Sequence, residues 1–263
     1  MVPSFKYFRY SFLDNIEMFI SKNEAAYFPF HLHDYFCISL ITEGTERLQT
    51  QNATYFATAR TISITQANEV HRNSSWNDLG YSYQTIYVNP DLLSHYNNGK
   101  KVTSLQRVIQ DQEFGNLFDL LFKNEQVVFK TAEQIIRALL KYDQSNTSNT
   151  EKPLPFDLID DLIASAGFNR LSLDLMASHF CMSKYHFIRR FREASGITPQ
   201  VYVTLQRLEN AKKMLLKGEE IKVAALLNGF YDATHLNAVF KRYLGINALS
   251  IKNSNIIHSG QEL

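Results

Sequence analysis

The chain has 263 residues, of which 45% are hydrophobic and 20% are charged, and its formal net charge is +1. This composition excludes an intrinsically disordered chain, and no apolar run is long enough to span a bilayer. The length suits two domains of ordinary size, and two cysteines far apart in sequence offer no disulfide framework. No signal peptide is evident, so we expect a cytoplasmic protein without membrane contact.

The first ninety residues have the pattern of β structure. Short apolar or alternating segments at 36–41, 47–50 and 61–65 are separated by turn signals such as Glu43-Gly44. Regular short strands with tight turns predict a sandwich or a small barrel.

Helical spacing of apolar residues begins at about Ser104 and recurs from Thr131 to Tyr142. These helices would cover the barrel or pair with a second subunit. Residues 144–156 are mostly polar, contain two prolines and predict a linker. We therefore predict an N-terminal domain at 1–143, a linker at 144–156 and a C-terminal domain at 157–263.

The C-terminal part contains a degenerate internal repeat, and each copy has the pattern of a helix-turn-helix. The copies span 171–199 and 220–248, so that Ala177 matches Ala225 and Phe191 matches Phe240. Residues 199–217 between the two recognition helices predict one long connecting helix. The overall prediction is an α+β protein whose C-terminal domain is entirely helical. Two such units suggest a protein that reads DNA.

The second helix of the first copy has two distinct faces. Ser172 and Ser183 are the expected N-caps of the first and second helices of this copy. On the second helix, Phe187, Phe191 and Ala194 are expected to pack inward. The opposite, DNA-facing stripe consists of Tyr185, Ile188, Arg189 and Arg192, flanked by Lys184 and Arg190. A solvated charged face is the plain alternative, but a helix-turn-helix presents this helix to the major groove. Arg189 would read a guanine, and the other cations would hold phosphates.

The second copy has a poorer outward face. Asp232 is its expected N-cap, and its outward residues are Thr234, Asn237, Ala238 and Lys241, with Arg242 beside them. Asn237 would read an adenine, but Ala238 stands where the first copy has Arg189, so we expect phosphate contacts through Lys241 and Arg242. A purely structural partner is the alternative. Residues 183–252 hold twelve basic and five acidic side chains, which suits a phosphate-facing module.

The ordered matches in this region resemble the AraC/XylS family of bacterial transcription regulators. They are A-x-x-x-C-M-S-x-x-x-F-x-R-x-F-R-x-x-x-G-I-T-P at 177–199, R-L-E-N-A-K-K-M-L-L at 207–216 and N-G-F-Y-D-A-T-H-L-N-A-V-F-K-R-Y-L-G at 228–245. The resemblance implies DNA contact by the two stripes described above. Cys181 departs from the pattern, because the family has a turn glycine there, and Ala248-Leu249 replaces the usual Pro-Ser.

The N-terminal half then resembles the family's cupin-type sensor domain. H-L-H-D-Y at 31–35 and E-V-H-R-N at 69–73 fall where that domain's motifs belong. The resemblance implies an effector site, for which we select five candidates, namely His31, His33, Arg47, His71 and Tyr83. The three histidines occupy metal positions of enzymatic cupins, but residues 34–38 lack the usual glutamate, so we predict no metal and no cofactor. Arg47 would hold a carboxylate or form a surface ion pair.

Three functions compete at this stage. The leading hypothesis is a transcription regulator, by resemblance an activator, that binds promoter DNA, works with RNA polymerase as a homodimer and responds to a small molecule, for which we suggest an amino acid. The alternatives are a metal-dependent cupin enzyme with a fused DNA-binding domain, and a constitutive DNA binder whose barrel only dimerises. No catalytic residue is predicted.

Overall fold

The computed structural model describes residues 4–25, 27–77, 79–123, 127–145, 156–254 and 256–257. The chain divides into two compact units. The first comprises 1–27, 33–148 and 254–263, and the second comprises 28–32 and 149–253. Most of the predicted linker at 144–156 lies outside the described residues.

The strands of the first unit form two sheets. They are β1 (Ser4–Tyr10), β2 (Glu17–Glu24), β3 (Phe36–Glu43), β4 (Thr45–Thr50), β5 (Thr54–Thr58), β6 (Ile62–Thr65), β7 (His71–Ser75), β8 (Tyr81–Val88), β9 (Val108–Ile109) and β10 (Ile256–Ile257). One sheet has the order β10-β1-β2-β8-β3-β6-β9, and the other has the order β5-β4-β7. All the neighbouring pairs are antiparallel except β1 with β10.

Helices cover one face of the larger sheet. The helices of this unit are α1 (Pro90–Tyr96), α2 (Gln112–Lys123) and α3 (Val128–Leu139). Ile38, Ile64 and Ile86 of the sheet form one buried cluster with Phe118 of α2 and Ile135 of α3. Burying these side chains stabilises the fold by about 25 cal/mol for each Å² of apolar surface removed from water. Of the two roles predicted for these helices, covering the sheet is therefore the one that the structure shows.

The segment at 104–109 does not form the predicted helix. Val108 and Ile109 pair with Ser63 and Ile62 at the edge of the larger sheet, and α2 begins only at Gln112. Over so short a segment, the spacing of the apolar residues fits the helical period and the strand period alike. Pairing with a strand distant in sequence decides which of the two structures forms.

The second unit is helical. Its elements are α4 (Phe156–Ala166), α5 (Leu173–His179), α6 (Lys184–Ser195), α7 (Pro199–Leu216), α8 (Ile221–Leu227), α9 (Ala233–Leu244) and α10 (Ala248–Lys252). The 18 residues of α7 span about 27 Å at 1.5 Å per residue and lie between the two helix-turn-helix units in sequence. The α+β class, with a β-rich N-terminal unit and a helical C-terminal unit, is confirmed.

Candidate nucleic-acid interface and ligand site

The first helix-turn-helix consists of α5 and α6, and local signals fix where both helices begin. The Ser172 side chain accepts a hydrogen bond from the Leu175 amide (3.1 Å), and Ser183 accepts one from His186 (3.4 Å). Both serines are therefore the N-caps that the sequence predicts. At the other end, Gly196 ends α6 in the left-handed conformation with φ 81°.

The inward face of α6 holds the helix by aromatic packing. Phe187 and Phe191 are buried, and the Phe187 ring stacks on Phe180 with centroids 5.1 Å apart. The prediction that Ala194 packs inward is wrong, because Ala194 is exposed and Ser195 is buried instead. Ser195 Oγ donates to the carbonyl oxygen of Phe191 (2.7 Å), so a polar contact closes this end of the helix.

The outward face of α6 presents an aromatic ring and cations. The Tyr185 side chain is 87% exposed, and Lys184, Arg189, Arg190 and Arg192 are also exposed. Tyr185, Ile188, Arg189, Arg192 and Glu193 line a shallow depression on this face. The structure therefore brings the whole predicted stripe together on one accessible surface.

Two acidic side chains neutralise part of that surface. Lys184 Nζ lies 2.8 Å from Asp174 Oδ1, and Arg189 Nε lies 3.8 Å from Glu193 Oε1. Lys184 donates a hydrogen bond to the Asp174 carboxylate, and this bond raises the pKa of Lys184. Such exposed pairs contribute little to stability because water screens the charges, so a phosphate or base can replace the acidic partner.

The two turns share one backbone requirement. Cys181 in the first turn has φ 53°, and its counterpart Gly229 in the second has φ 72°. Only glycine adopts this left-handed region without strain. The departure from the family's turn glycine therefore changes the residue and leaves the turn geometry intact.

The second helix-turn-helix, α8 and α9, follows the same plan. Asp232 accepts a hydrogen bond from the His235 amide (2.7 Å), which makes it the predicted N-cap. The outward residues Thr234, Ala238, Lys241 and Arg242 are exposed. Asn237 is only partly exposed, and its Oδ1 accepts a hydrogen bond from the Ala248 amide (2.9 Å). That bond gives Asn237 a structural role at the start of α10.

A buried polar cluster behind the second turn escaped the sequence analysis. The Asn228 side chain is fully buried, and its Nδ2 donates to the Ala224 carbonyl oxygen (2.7 Å). Its Oδ1 accepts from Asn210 Nδ2 (2.6 Å) of α7. Arg207, also on α7, donates to the carbonyl oxygen of Gly229 (3.4 Å). These contacts fix the second turn against the connecting helix.

The first unit has a polar layer between its two sheets. Strand alternation points Ile38, Ile64 and Ile86 of the larger sheet toward the helices, and the opposite face combines polar residues with Phe19 and Ile41. That face carries Ser21, Cys37, Ser39, Ser63, Thr65, Tyr83 and Thr85. Ser39 and Thr85 hydroxyls are hydrogen-bonded at 2.6 Å. A polar layer where two sheets meet is unusual for a packing core and suits a ligand site.

The histidines and Tyr83 contribute to this unit as follows. The rings of His33 and His71 lie 4.8 Å apart, and each Nδ1 donates to a backbone carbonyl, of Tyr35 and Glu69 respectively (both 2.8 Å). His33 Nε2 lies 3.2 Å from Cys37 Sγ. These rings present Nε2 as the acceptor or metal-ligand atom when neutral. The Tyr83 ring stacks on Tyr81 at 5.0 Å.

The remaining two candidate effector residues are His31 and Arg47. His31 belongs to the segment 28–32 that groups with the second unit, and its Nδ1 donates to the Pro29 carbonyl oxygen (3.0 Å). Burial lowers the pKa of His31. Arg47 points to the face of β4 opposite its neighbour Glu46 and donates to Ser74 Oγ (3.2 Å).

Sequence reasoning missed Glu46 itself. Its side chain is 3% exposed and faces the polar layer, and Oε1 accepts from Asn73 Nδ2 (2.8 Å). Burial raises the pKa of Glu46, and the nearby polar groups of Ser63, Asn73 and Tyr81 oppose the rise. The sequence offered one signal for this burial. Glu46 and Leu48 lie two residues apart in β4 and therefore on the same face, so Glu46 shares the buried side of the strand with Leu48.

Comparisons with known proteins agree in both halves of the chain. The AraC-like ligand binding domain family matches residues 15–151, and the helix-turn-helix domain family matches 176–253. The chain is 26% identical over 236 residues to the uncharacterized HTH-type transcriptional regulator YbfI of Bacillus subtilis, across 84% of this chain and 86% of YbfI. It is 21% identical over 255 residues to the HTH-type transcriptional activator RhaS of Escherichia fergusonii. That match covers 86% of this chain and 87% of RhaS.

Among solved structures, unsaturated fatty acid bound ToxT from Vibrio cholerae superposes with a TM-score of 0.57 at 13% identity. The match covers 97% of this chain and 98% of that chain, so the two share a fold. No helix in the described part of the chain is long and apolar enough to cross a membrane.

Proposed function

Because the chain belongs to the family of AraC-type transcription regulators, with an N-terminal ligand-binding domain and a C-terminal DNA-binding domain, we propose that it activates transcription when a small molecule binds its N-terminal unit. The observation that carries the proposal is the outward face of α6, where Tyr185, Arg189 and Arg192 are exposed opposite buried phenylalanines. Arg189 reads a base, and Lys184, Arg190, Lys241 and Arg242 hold phosphates.

The partners follow from the same proposal. The name of RhaS supports activation, and an activator works beside RNA polymerase. Leu120 of α2 and Phe129 of α3 are large apolar side chains left exposed, which supports a homodimer formed through these helices. The proposed place of action is the cytoplasm, where chromosomal DNA is accessible. Light scattering of the purified chain and transcription in vitro with RNA polymerase test the dimer and the activation.

One substitution tests the DNA-binding surface. The purified full chain first selects its site from a library of genomic fragments. Arg189→Ala should then weaken binding to the selected site by about 1–3 kcal/mol, roughly 5- to 150-fold, and relax the preference at one base pair. The reason is the loss of paired hydrogen bonds to one base. Titration of selected and scrambled duplexes measures both effects.

Arg170→Ala is the matched control, because Arg170 is an exposed arginine of the same unit outside both recognition helices. It should change neither affinity nor preference. Equal loss by Arg189→Ala on every sequence would make Arg189 a phosphate contact, and no loss would remove it from the interface.

Metal analysis of the purified chain distinguishes the regulator from the alternative of a metal-dependent cupin enzyme. Stoichiometric metal in the purified chain would favour the enzyme.

A further inference from the structure

Glu46 is a buried carboxylate that forms no ion pair with any of the described side chains. Its Oε1 has Asn73 as partner, but Oε2 is buried and has no hydrogen-bond partner in the described part of the chain. An ionised carboxylate removed from water costs several kcal/mol unless something pairs with it.

The groups around Glu46 also point to a missing partner. Ser63 of the opposite sheet is buried, and its Oγ lacks a hydrogen-bond partner among the described residues. Tyr81, from the same sheet as Ser63, lies beside Glu46 and stacks on Tyr83 with ring centroids 5.0 Å apart. The ring centroid of Phe19 lies 6.0 Å from that of Tyr83. A carboxylate beside aromatic rings is the combination that recognises an ammonium group, by charge and by cation–π attraction.

We propose that the ligand of the N-terminal unit carries a protonated amine, which donates hydrogen bonds to Glu46 and Ser63 and lies against the rings of Tyr81 and Tyr83. This inference rests on the proposed function, because it assumes that the polar layer is the ligand site. An anionic ligand such as a fatty acid would place a second negative charge next to Glu46, at an energetic cost in this buried place. The polar layer thus favours a cationic ligand over an anionic one.

Ligand-induced stabilisation of the full chain tests the inference. The probes are n-butylamine, putrescine and L-lysine, with n-butanol, butanoate and oleate as neutral and anionic counterparts. At least one amine should raise the melting temperature of the wild-type chain, because a ligand that binds only the native state stabilises it. Glu46→Gln should weaken the affinity for that amine at least tenfold, since the carboxylate charge is lost.

Glu43→Gln is the matched control, because Glu43 is an exposed carboxylate on the preceding strand β3 and its loss should leave the amine affinity unchanged. Should Glu46→Gln fail to fold, Glu46→Asp keeps the charge, withdraws it by one methylene and should also weaken amine binding. Stabilisation by neutral or anionic probes alone, equal amine affinity in Glu46→Gln, or no amine response at all would each overturn the inference.

DNA binding by the same preparations keeps the two proposals apart. Glu46→Gln should bind the selected duplex as the ligand-free wild-type chain does. If DNA binding persists while only alcohols or carboxylates stabilise the chain, the regulator stands and the amine inference fails. Loss of specific DNA binding by the wild-type chain would count against the proposed function itself.

Discussion

At the scale of single residues, Cys181 occupies a backbone conformation that its counterpart Gly229 adopts without strain. We expect Cys181→Gly to raise the free energy of unfolding of the C-terminal unit by about 1 kcal/mol, because the left-handed conformation penalises a Cβ by roughly 1–2 kcal/mol. Urea unfolding followed by circular dichroism measures the change.

Cys181→Ala is the control for the loss of the thiol, because it keeps a Cβ and should gain nothing. A gain of the same size in both variants would assign the effect to the sulfur, and no gain in the glycine variant would mean that the turn carries no strain. Gly229 has a further constraint, since an added Cβ would lie 3.1 Å from Arg207 Cζ.

The residues that were predicted and those that were missed differ in the range of their contacts. Ser172, Ser183 and Asp232 were identified as N-caps because each bonds to an amide three residues ahead. Glu46 and Asn228 were missed because their partners lie on other elements. A sequence pattern reports the first kind of contact and carries little information on the second.

At the scale of elements, Asn228 joins α7 to the turn between α8 and α9. Asn228→Ala should lower the free energy of unfolding of the C-terminal unit by about 1–3 kcal/mol, because it removes the hydrogen bonds that the buried Asn228 amide makes with Asn210 and with the carbonyl oxygen of Ala224. Denaturant unfolding measures the loss. Asn253→Ala, at an exposed asparagine of the same unit, is the control and should cost less than about 0.5 kcal/mol. Equal effects in the two variants would contradict the role assigned to Asn228.

The same distinction applies to whole elements. The long helix α7 and the four helices of the two repeats were predicted with small errors at their ends, because their apolar period continues over many residues. The two-residue strand β9 was predicted as helix, since its conformation depends on pairing with β6. The polar residues of β3, β6 and β8 form one face only when these strands are adjacent, so the sequence pattern does not show that they lie together.

At the scale of the whole molecule, charge separates the two functions. Residues 1–156 hold fourteen basic and sixteen acidic side chains, whereas residues 183–252 hold twelve and five. The excess of positive charge is thus confined to the half that carries both helix-turn-helix units. This distribution attracts DNA to the C-terminal half and leaves the N-terminal half without a strong attraction for phosphate.

The charge distribution makes the affinity for DNA depend on salt in a way that tests the second helix-turn-helix. Lys241 is exposed on α9, and if it holds one phosphate, Lys241→Ala should reduce the slope of log K against log salt by about 0.9. The loss of affinity should be similar for selected and scrambled duplexes, because a phosphate contact reads no sequence. Lys130→Ala, at an exposed lysine of α3, is the control and should leave the slope unchanged. An unchanged slope for Lys241→Ala would instead make α8 and α9 a structural support for the first unit.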